Sequence, residues 1–308
     1  MRAPRLACLA FVALVALALS PRVAHAQAAA PAPADSAAPA GPHPDFDPNP
    51  PLGIFPTSSD ALIDPRMARS WGAAPTRWFA ATTFDIGFVY GRPRLSLGYG
   101  KPFTKWVGID VNPIAASSGV GGYGGLRLEM AFFDLRVGSR YWFPFNRAYL
   151  DPRDSYDRLE LERDFGQKGI TLTHEAELDV SIPAGPGNIL LRGSASYVTG
   201  VPDDKLVFES ALHVIVDPPF VWRARAGYAV RFGKYSQHSM GLVGDVLHVP
   251  ARDDSITVRA GPIVRVVLSR RVDVRGSFVT TVISPDRIGL VGGDFTELGV
   301  RYRWATEP

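Results

Sequence analysis

From about residue 77 onward, apolar and polar residues alternate along the chain with a period of two. That is the spacing of a strand whose two faces meet different surroundings. Trp78, Ala80, Thr82, Phe84, Ile86, Phe88 and Tyr90 share one face of the first such segment, with an aromatic at each end. In a second, Phe220, Trp222, Ala224, Ala226, Tyr228, Val230 and Phe232 stand opposite Val221, Arg223, Arg225, Gly227, Ala229 and Arg231. Further segments repeat the pattern. Phe133, Leu135, Val137, Tyr141 and Phe143 oppose Asp134, Arg136 and Arg140, and Leu172, Ala176, Leu178, Val180 and Ile182 oppose Glu175, Glu177 and Asp179. Nearer the end, Val258, Ala260, Val264 and Val266 oppose Arg259 and Arg265, and Val272, Val274, Phe278 and Val282 oppose Asp273 and Arg275. Ala184–Asn188, Asp217–Pro219 and Leu268–Arg271 punctuate these runs as turns.

The length of the segments separates two explanations of this alternation. Soluble strands average five or six residues. The ten residues from Trp222 to Phe232 extend about 33 Å, which a tilt of roughly 45° reduces to about 23 Å. An apolar band about 25 Å tall between aromatic girdles is the dimension of a membrane-spanning barrel. Arginine at mid-membrane on the lipid side is penalised, so the arginine-bearing faces must look into the lumen. Trp78, Tyr90, Trp222 and Phe232 are then expected at the girdles.

The first residues suggest how the chain reaches such a place. Arg2 and Arg5 precede an apolar run from Leu6 to Leu19, and Ala24-His25-Ala26 forms a small-x-small site before Gln27. This is the form of a cleaved secretory signal, expected over residues 1–26. The run is too short for a comfortable transmembrane helix. Removing it changes the charge account: the 33 Lys+Arg and 30 Asp+Glu of the whole chain lose Arg2, Arg5 and Arg22 and no acid, leaving 30 against 30. Nucleic acid is therefore not an expected partner. The single cysteine, Cys8, leaves too, so no thiol chemistry is expected. Near-zero mean hydropathy fits a barrel, which dilutes each apolar residue with a polar one, and not a helical bundle. Residues 27 to about 53 are rich in Ala and Pro and cannot bury a core, so 27–76 reads as a periplasmic arm, with a plug in the barrel mouth as the alternative for part of it.

No catalytic constellation stands out. Gly119-Val120-Gly121-Gly122-Tyr123-Gly124-Gly125 lacks the lysine and the strand–turn–helix setting of a phosphate loop, and reads as glycines that bend strands or make room for bulky neighbours. His174, in a lipid-facing phase beside Glu175, is the one suggestive barrel histidine, and a girdle or loop histidine is the simpler explanation. Asp151, Asp154 and Asp157 read as a solvated loop rather than a metal site. No cofactor or metal is expected, and the chain is not expected to be an enzyme.

The final strand carries the most specific motif. Glu297-Leu298-Gly299-Val300-Arg301-Tyr302-Arg303-Trp304 has the form polar-x-Gly-x-x-aromatic-x-aromatic. It resembles the terminal strand by which Gram-negative outer-membrane β-barrel proteins are recognised by their assembly machinery, with Glu297, Gly299, Tyr302 and Trp304 as the signal. One departure is that Ala305–Pro308 follow as a short tail. The resemblance covers residues 77–304 and implies a porin-like superfamily, outer-membrane lipids and the assembly machinery as partners, and no individual family.

The fold expected is an all-β, antiparallel transmembrane barrel of about twelve strands, with ten to fourteen compatible. Thirteen segments can be counted, and barrels of this kind have even strand numbers, so Leu95–Tyr99 and Trp106–Val111, the shortest, are merged. With both ends periplasmic, that count puts residues 144–169 on the periplasmic side, against the rule that long loops face outward. Arg223, Arg225, Arg231, Arg259, Arg265, Arg301 and Arg303 should line the lumen, facing Glu175, Glu177, Asp179 and Glu209. Charged walls across a narrow pore make a small channel for hydrophilic or anionic solutes. If the charges pair and fill the interior, the barrel is instead a closed scaffold whose arm, residues 27–76, docks an envelope partner. An outer-membrane hydrolase is the third reading.

Overall fold

The computed structural model of the protein describes Trp71 and residues 74–87, 90–161, 166–233, 236–253, 255–269, 271–293 and 299–306. The segments expected to be a signal and an arm, apart from Trp71 and residues 74–76, lie outside the described residues, as do Glu297 and Leu298. Fifteen strands run in chain order: β1 (Arg77–Gly87), β2 (Tyr90–Lys101), β3 (Lys105–Ala116), β4 (Gly119–Glu129), β5 (Phe133–Pro144), β6 (Thr171–Ala184), β7 (Gly187–Thr199), β8 (Val207–Glu209), β9 (Val214–Val216), β10 (Phe220–Phe232), β11 (His238–His248), β12 (Thr257–Val267), β13 (Val272–Ser277), β14 (Thr280–Ile283) and β15 (Gly299–Ala305). All pairings between them are antiparallel.

The sheet closes on itself. Neighbours follow the chain from β1 to β7, pass to β10, β11 and β12, and return to β1 through β13 and β15. The closing seam pairs Ala81 with Ala305 and Gly87 with Gly299. β13 and β14 both pair with β12 and are one wall strand with a break. The break faces Pro262, whose missing N–H cannot donate to the ladder, although its carbonyl still accepts from Phe278 N at 2.9 Å. Counted this way the wall has twelve strands, an even number that leaves no open edge.

The merge expected around residue 100 does not occur. β2 and β3 are separate strands of 12 residues each, joined by a tight turn at Pro102–Thr104. The surplus segment is instead 207–216, which forms a two-stranded hairpin apart from the wall. Correcting this moves the 145–170 connection to the opposite rim from Arg77 and Ala305. The described parts of the connections between β7 and β10, β11 and β12, and β14 and β15 follow it to that far rim, while the near rim carries the start of β1, the end of β15 and the shorter turns. The first strand also ends earlier than its alternation suggests: β1 stops at Gly87, and Tyr90 opens β2.

The two faces of the wall are inverted relative to a soluble protein. Trp78 is 77% exposed, Leu242 67% and Leu126 64%, and they point outward with Leu97, Val137, Tyr228 and Val300. The inner face buries Asp85, Arg127, Arg140, Asp179, Arg225, Asp245, Arg265 and Asp273. On β15, Val300, Tyr302 and Trp304 are outward and Arg303 is buried inside, as the final-strand alternation requires. Glycines give the inner wall room. A Cβ on Gly125 would lie 2.4 Å from Tyr123 Oη, and one on Gly121 would lie 2.8 Å from the Trp142 ring. These aromatics lie flat against the strands because nothing projects beneath them.

Candidate functional site: the barrel interior

The interior is bounded at both mouths. At the near rim, Trp71 packs among the inward-facing Phe79 and Trp106 and the turn residue Phe103, with the Trp71 and Phe103 rings 5.1 Å apart. At the far rim the β8–β9 hairpin folds inward. Val207, Leu212, Val214 and Val216 pack on Val198, Val221 and Leu247, three inward positions of wall strands, while Phe208 and Ile215 join Leu150, Tyr156, Leu161 and Ile288 of the surrounding connections. Polar latches hold the hairpin to distant parts of the wall. Glu209 accepts from Arg140 Nη1 of β5 at 2.9 Å and from Thr173 Oγ1 of β6 at 3.2 Å. On the other side, Arg259 of β12 donates to the Leu212 and His213 carbonyls, both at 2.8 Å. Burial alone would raise the Glu209 carboxyl, but the Arg140 guanidinium beside it outweighs that and holds it below its ordinary value.

Between the mouths, charge is organised in shared pairs. On β3–β5, Arg127 is held by Asp134 at 2.8 Å, Glu129 at 3.0 Å and Asp110 at 3.4 Å. On β5–β7, Arg136 contacts Glu177 and Asp179, Arg192 contacts Asp179 at 2.5 Å, and Arg140 contacts Glu175 at 3.2 Å. The other half of the wall is different. On β10, β11, β12, β13 and β15 the inward positions hold Arg223, Arg225, Arg231, Arg259, Arg265, Arg275, Arg301 and Arg303, with Asp245 and Asp273 between them. Asp245 is shared by Arg223 and Arg225, and Asp273 by Arg265, Arg275 and Arg303, the last three at 2.6–3.0 Å. Arg301 crosses the seam to Asp85, and Arg231 donates to Asn188. A buried guanidinium is tolerated only when its hydrogen bonds and charge are met, and one carboxylate meeting two or three of them is a strong local arrangement.

Not all of this surface is packed away. Arg92, Arg136, Glu175 and Glu177 face inward yet keep 30%, 23%, 29% and 25% of their side-chain surface. These four side chains, on β2, β5 and β6, are the inner-wall charges of this half that keep the most accessible surface.

The lumen residues expected from the sequence are all on the inner side, with Glu209 reaching it from the hairpin rather than from the wall. Alternation alone did not single out Arg92, Arg94, Asp110, Arg127, Glu129, Arg192 or Asp245. Three of the seven, Arg92, Arg94 and Asp110, lie on strands cut short by the merge near residue 100, and Arg92-x-Arg94-x-Ser96 and Asp110-x-Asn112 come into phase once β2 and β3 are drawn at full length. Among the girdle residues, Trp78 and Phe232 are outward and exposed, Trp222 is partly covered by the His248 ring at 5.7 Å, and only the backbone of Tyr90 is described. The signal residues Gly299, Tyr302 and Trp304 lie on β15.

On the outer face, Ser139 Oγ lies 2.8 Å from His174 Nδ1 across β5 and β6. Among the described residues no carboxylate or amide orients that ring, so the two groups satisfy one another without the third member of a nucleophilic triad. Asp151 is taken up by Lys205 at 2.9 Å. No protein-family model matches this chain, and comparison with curated proteins finds none similar to it.

Proposed function

We propose that the chain is an integral β-barrel of a Gram-negative outer membrane and provides a narrow, gated passage for small hydrophilic solutes, with a preference for anions. One observation carries this reading: a closed twelve-strand wall with a continuous apolar exterior surrounds a charged, partly wet interior. A water-soluble protein does not expose so large a contiguous apolar surface, whereas lipid requires it and forbids open sheet edges. The signal-like first 26 residues and the terminal strand, with its form suited to the assembly machinery, support the same location. Arginine on the inner wall biases the interior toward anions. The hairpin 207–216, latched by Glu209 and Arg259, is the gate.

A closed structural barrel is the second reading. The pairing of inner charges and the aromatic cover at the near rim favour it, and residues 27–76 would then dock an envelope partner.

Planar-bilayer recording separates the two. The purified barrel should give small, anion-preferring current steps, and replacing residues 203–217 by a short Gly/Ser linker should enlarge them several-fold. Silence from both proteins, each shown to be folded by heat-modifiable gel mobility, would remove the passage and leave the closed barrel.

A further inference from the structure

Arg94 differs from the arginines around it. It sits on the inner face of β2 and is only 5% exposed, yet among the described residues its side chain makes no hydrogen bond and no ion pair, and its Nε is fully buried without a partner. The bond recorded at this residue is to its backbone: Thr82 Oγ1 donates to the Arg94 carbonyl at 3.1 Å. The guanidinium lies in the field of three other cations, Arg92, Arg127 and Arg136, and of three carboxylates, Asp110, Asp85 and Asp134, none of them close enough to pair with it. Asp110 is already engaged, accepting from Ser96 Oγ at 2.5 Å and from Arg127 at 3.4 Å. A buried, unpartnered Nε–H and a full positive charge are thus held inside the barrel beside like charges. A protein keeps such a group only if something meets it.

What would meet it is defined by the surroundings. Arg92, one pleat away on the same face, and Arg136 keep 30% and 23% of their side-chain surface inside the wall, as Glu175 and Glu177 of β6 keep 29% and 25%. Arg92 reaches its carboxylate, Asp85, only at 3.5 Å. Two guanidinium forks on one face of β2, one of them still accessible, match an anion with several oxygens, which can accept paired N–H bonds from each. We propose that Arg94, together with Arg92, binds a small oxyanion inside the barrel: inorganic phosphate or sulfate, or the phosphate group of a small solute. Lipid headgroups are outside this class because the wall separates them from the inner face. The inference rests on reading the interior as a space that solutes enter, but its test does not use conduction.

The test is thermal unfolding of the full-length folded barrel in detergent, followed by gel mobility, as chloride is exchanged for inorganic phosphate at constant ionic strength. Wild type should show a saturable rise in midpoint. Arg94→Met should fold, lose that rise, and be at least as stable as wild type in chloride, since it removes an unmet charge. Arg158→Met, in an exposed turn at the far rim, should keep the rise. If Arg94→Met does not fold, Arg94→Lys serves instead: it keeps the charge without the fork, and should need about tenfold more phosphate, the loss of one charge-assisted bond. Glycerol phosphate in place of inorganic phosphate tells the two sources apart, a lower half-saturation marking a solute-borne group. A wild type indifferent to phosphate, or an Arg94 variant that responds as wild type does, overturns the site. A barrel that binds phosphate through Arg94 but is silent in bilayers loses the passage and keeps the site.

Discussion

The two halves of the inner wall solve the same problem in opposite ways. On β2–β7, arginines and carboxylates are present in similar numbers, and Arg127 and Arg136 each have three acids around them. On β10–β15 the ratio is inverted, and a single acid stands among several arginines: Asp273 holds three and Asp245 two. Where acids are plentiful, losing one leaves others in place. Where one acid serves three cations, its loss leaves buried charge with a neighbour of its own sign. The first half is redundant and partly wet, and the second is dry and depends on two residues.

The comparison is broken most directly at Asp273. Asp273→Asn keeps the shape and removes the charge shared by Arg265, Arg275 and Arg303, and breaking a buried pair from one side costs about 3–5 kcal/mol. We expect a loss at the upper end of that range, read as a shift of the urea midpoint for the barrel folded in lipid vesicles. Glu177→Gln is the matched change in the other half. Glu177 keeps 25% of its side-chain surface, and its partner Arg136 retains Asp179 at 3.3 Å, so about 1 kcal/mol is expected. Equal losses from the two variants would show that the halves do not differ.

Between these two in size lies the latch. Glu209→Gln should loosen the hairpin by about 2 kcal/mol, the value of a hydrogen bond to a charged group, and raise proteolysis within residues 203–217. The same contact sets a pH dependence. The Glu209 carboxyl is lowered from 4.5 by Arg140 acting against burial, so its folded value lies below its unfolded one. Its contribution is complete above the unfolded value and disappears only as pH falls below about 4.5 through the lowered one. The hairpin should therefore resist protease throughout neutral and mildly acid pH, and open in strong acid. Opening between pH 5 and 7 would point to another group.

Much of the wall was legible because a barrel in lipid imposes period two on every strand. Trp222 to Phe232 and Val300 to Trp304 show their faces without any knowledge of partners. Two features were not legible, each for a physical reason. The turn at Pro102–Thr104 is three residues long with Phe103 at φ 61°, so a tight reversal looked like an interruption within one strand. The 207–216 hairpin has the apolar content of a strand, but it is buried on all sides, Ile215 and Val216 being 0% exposed, and apolar content alone does not tell a covered hairpin from a wall strand. The shared carboxylates were out of reach for a third reason. Asp273 and Arg303 are brought together by the β13–β15 pairing, and nothing in the spacing of residues thirty apart encodes it.

The smallest effect is expected on the outer face, where neither half's charges matter. Ser139 and His174 lie among Val137, Tyr141 and Leu172, all exposed on the same side. Hydrogen-bonding groups in such surroundings gain mainly by satisfying one another, so Ser139→Ala and His174→Ala should each cost about 1 kcal/mol. The double variant should cost little more than either alone, since one hydrogen bond is removed in all three. That coupling, measured by a double-mutant cycle in vesicles, identifies the pair as mutual satisfaction. An ester-hydrolysing activity lost in either single variant, with folding intact, would instead make Ser139 a nucleophile, and would move the function of the barrel from its inside to its outside.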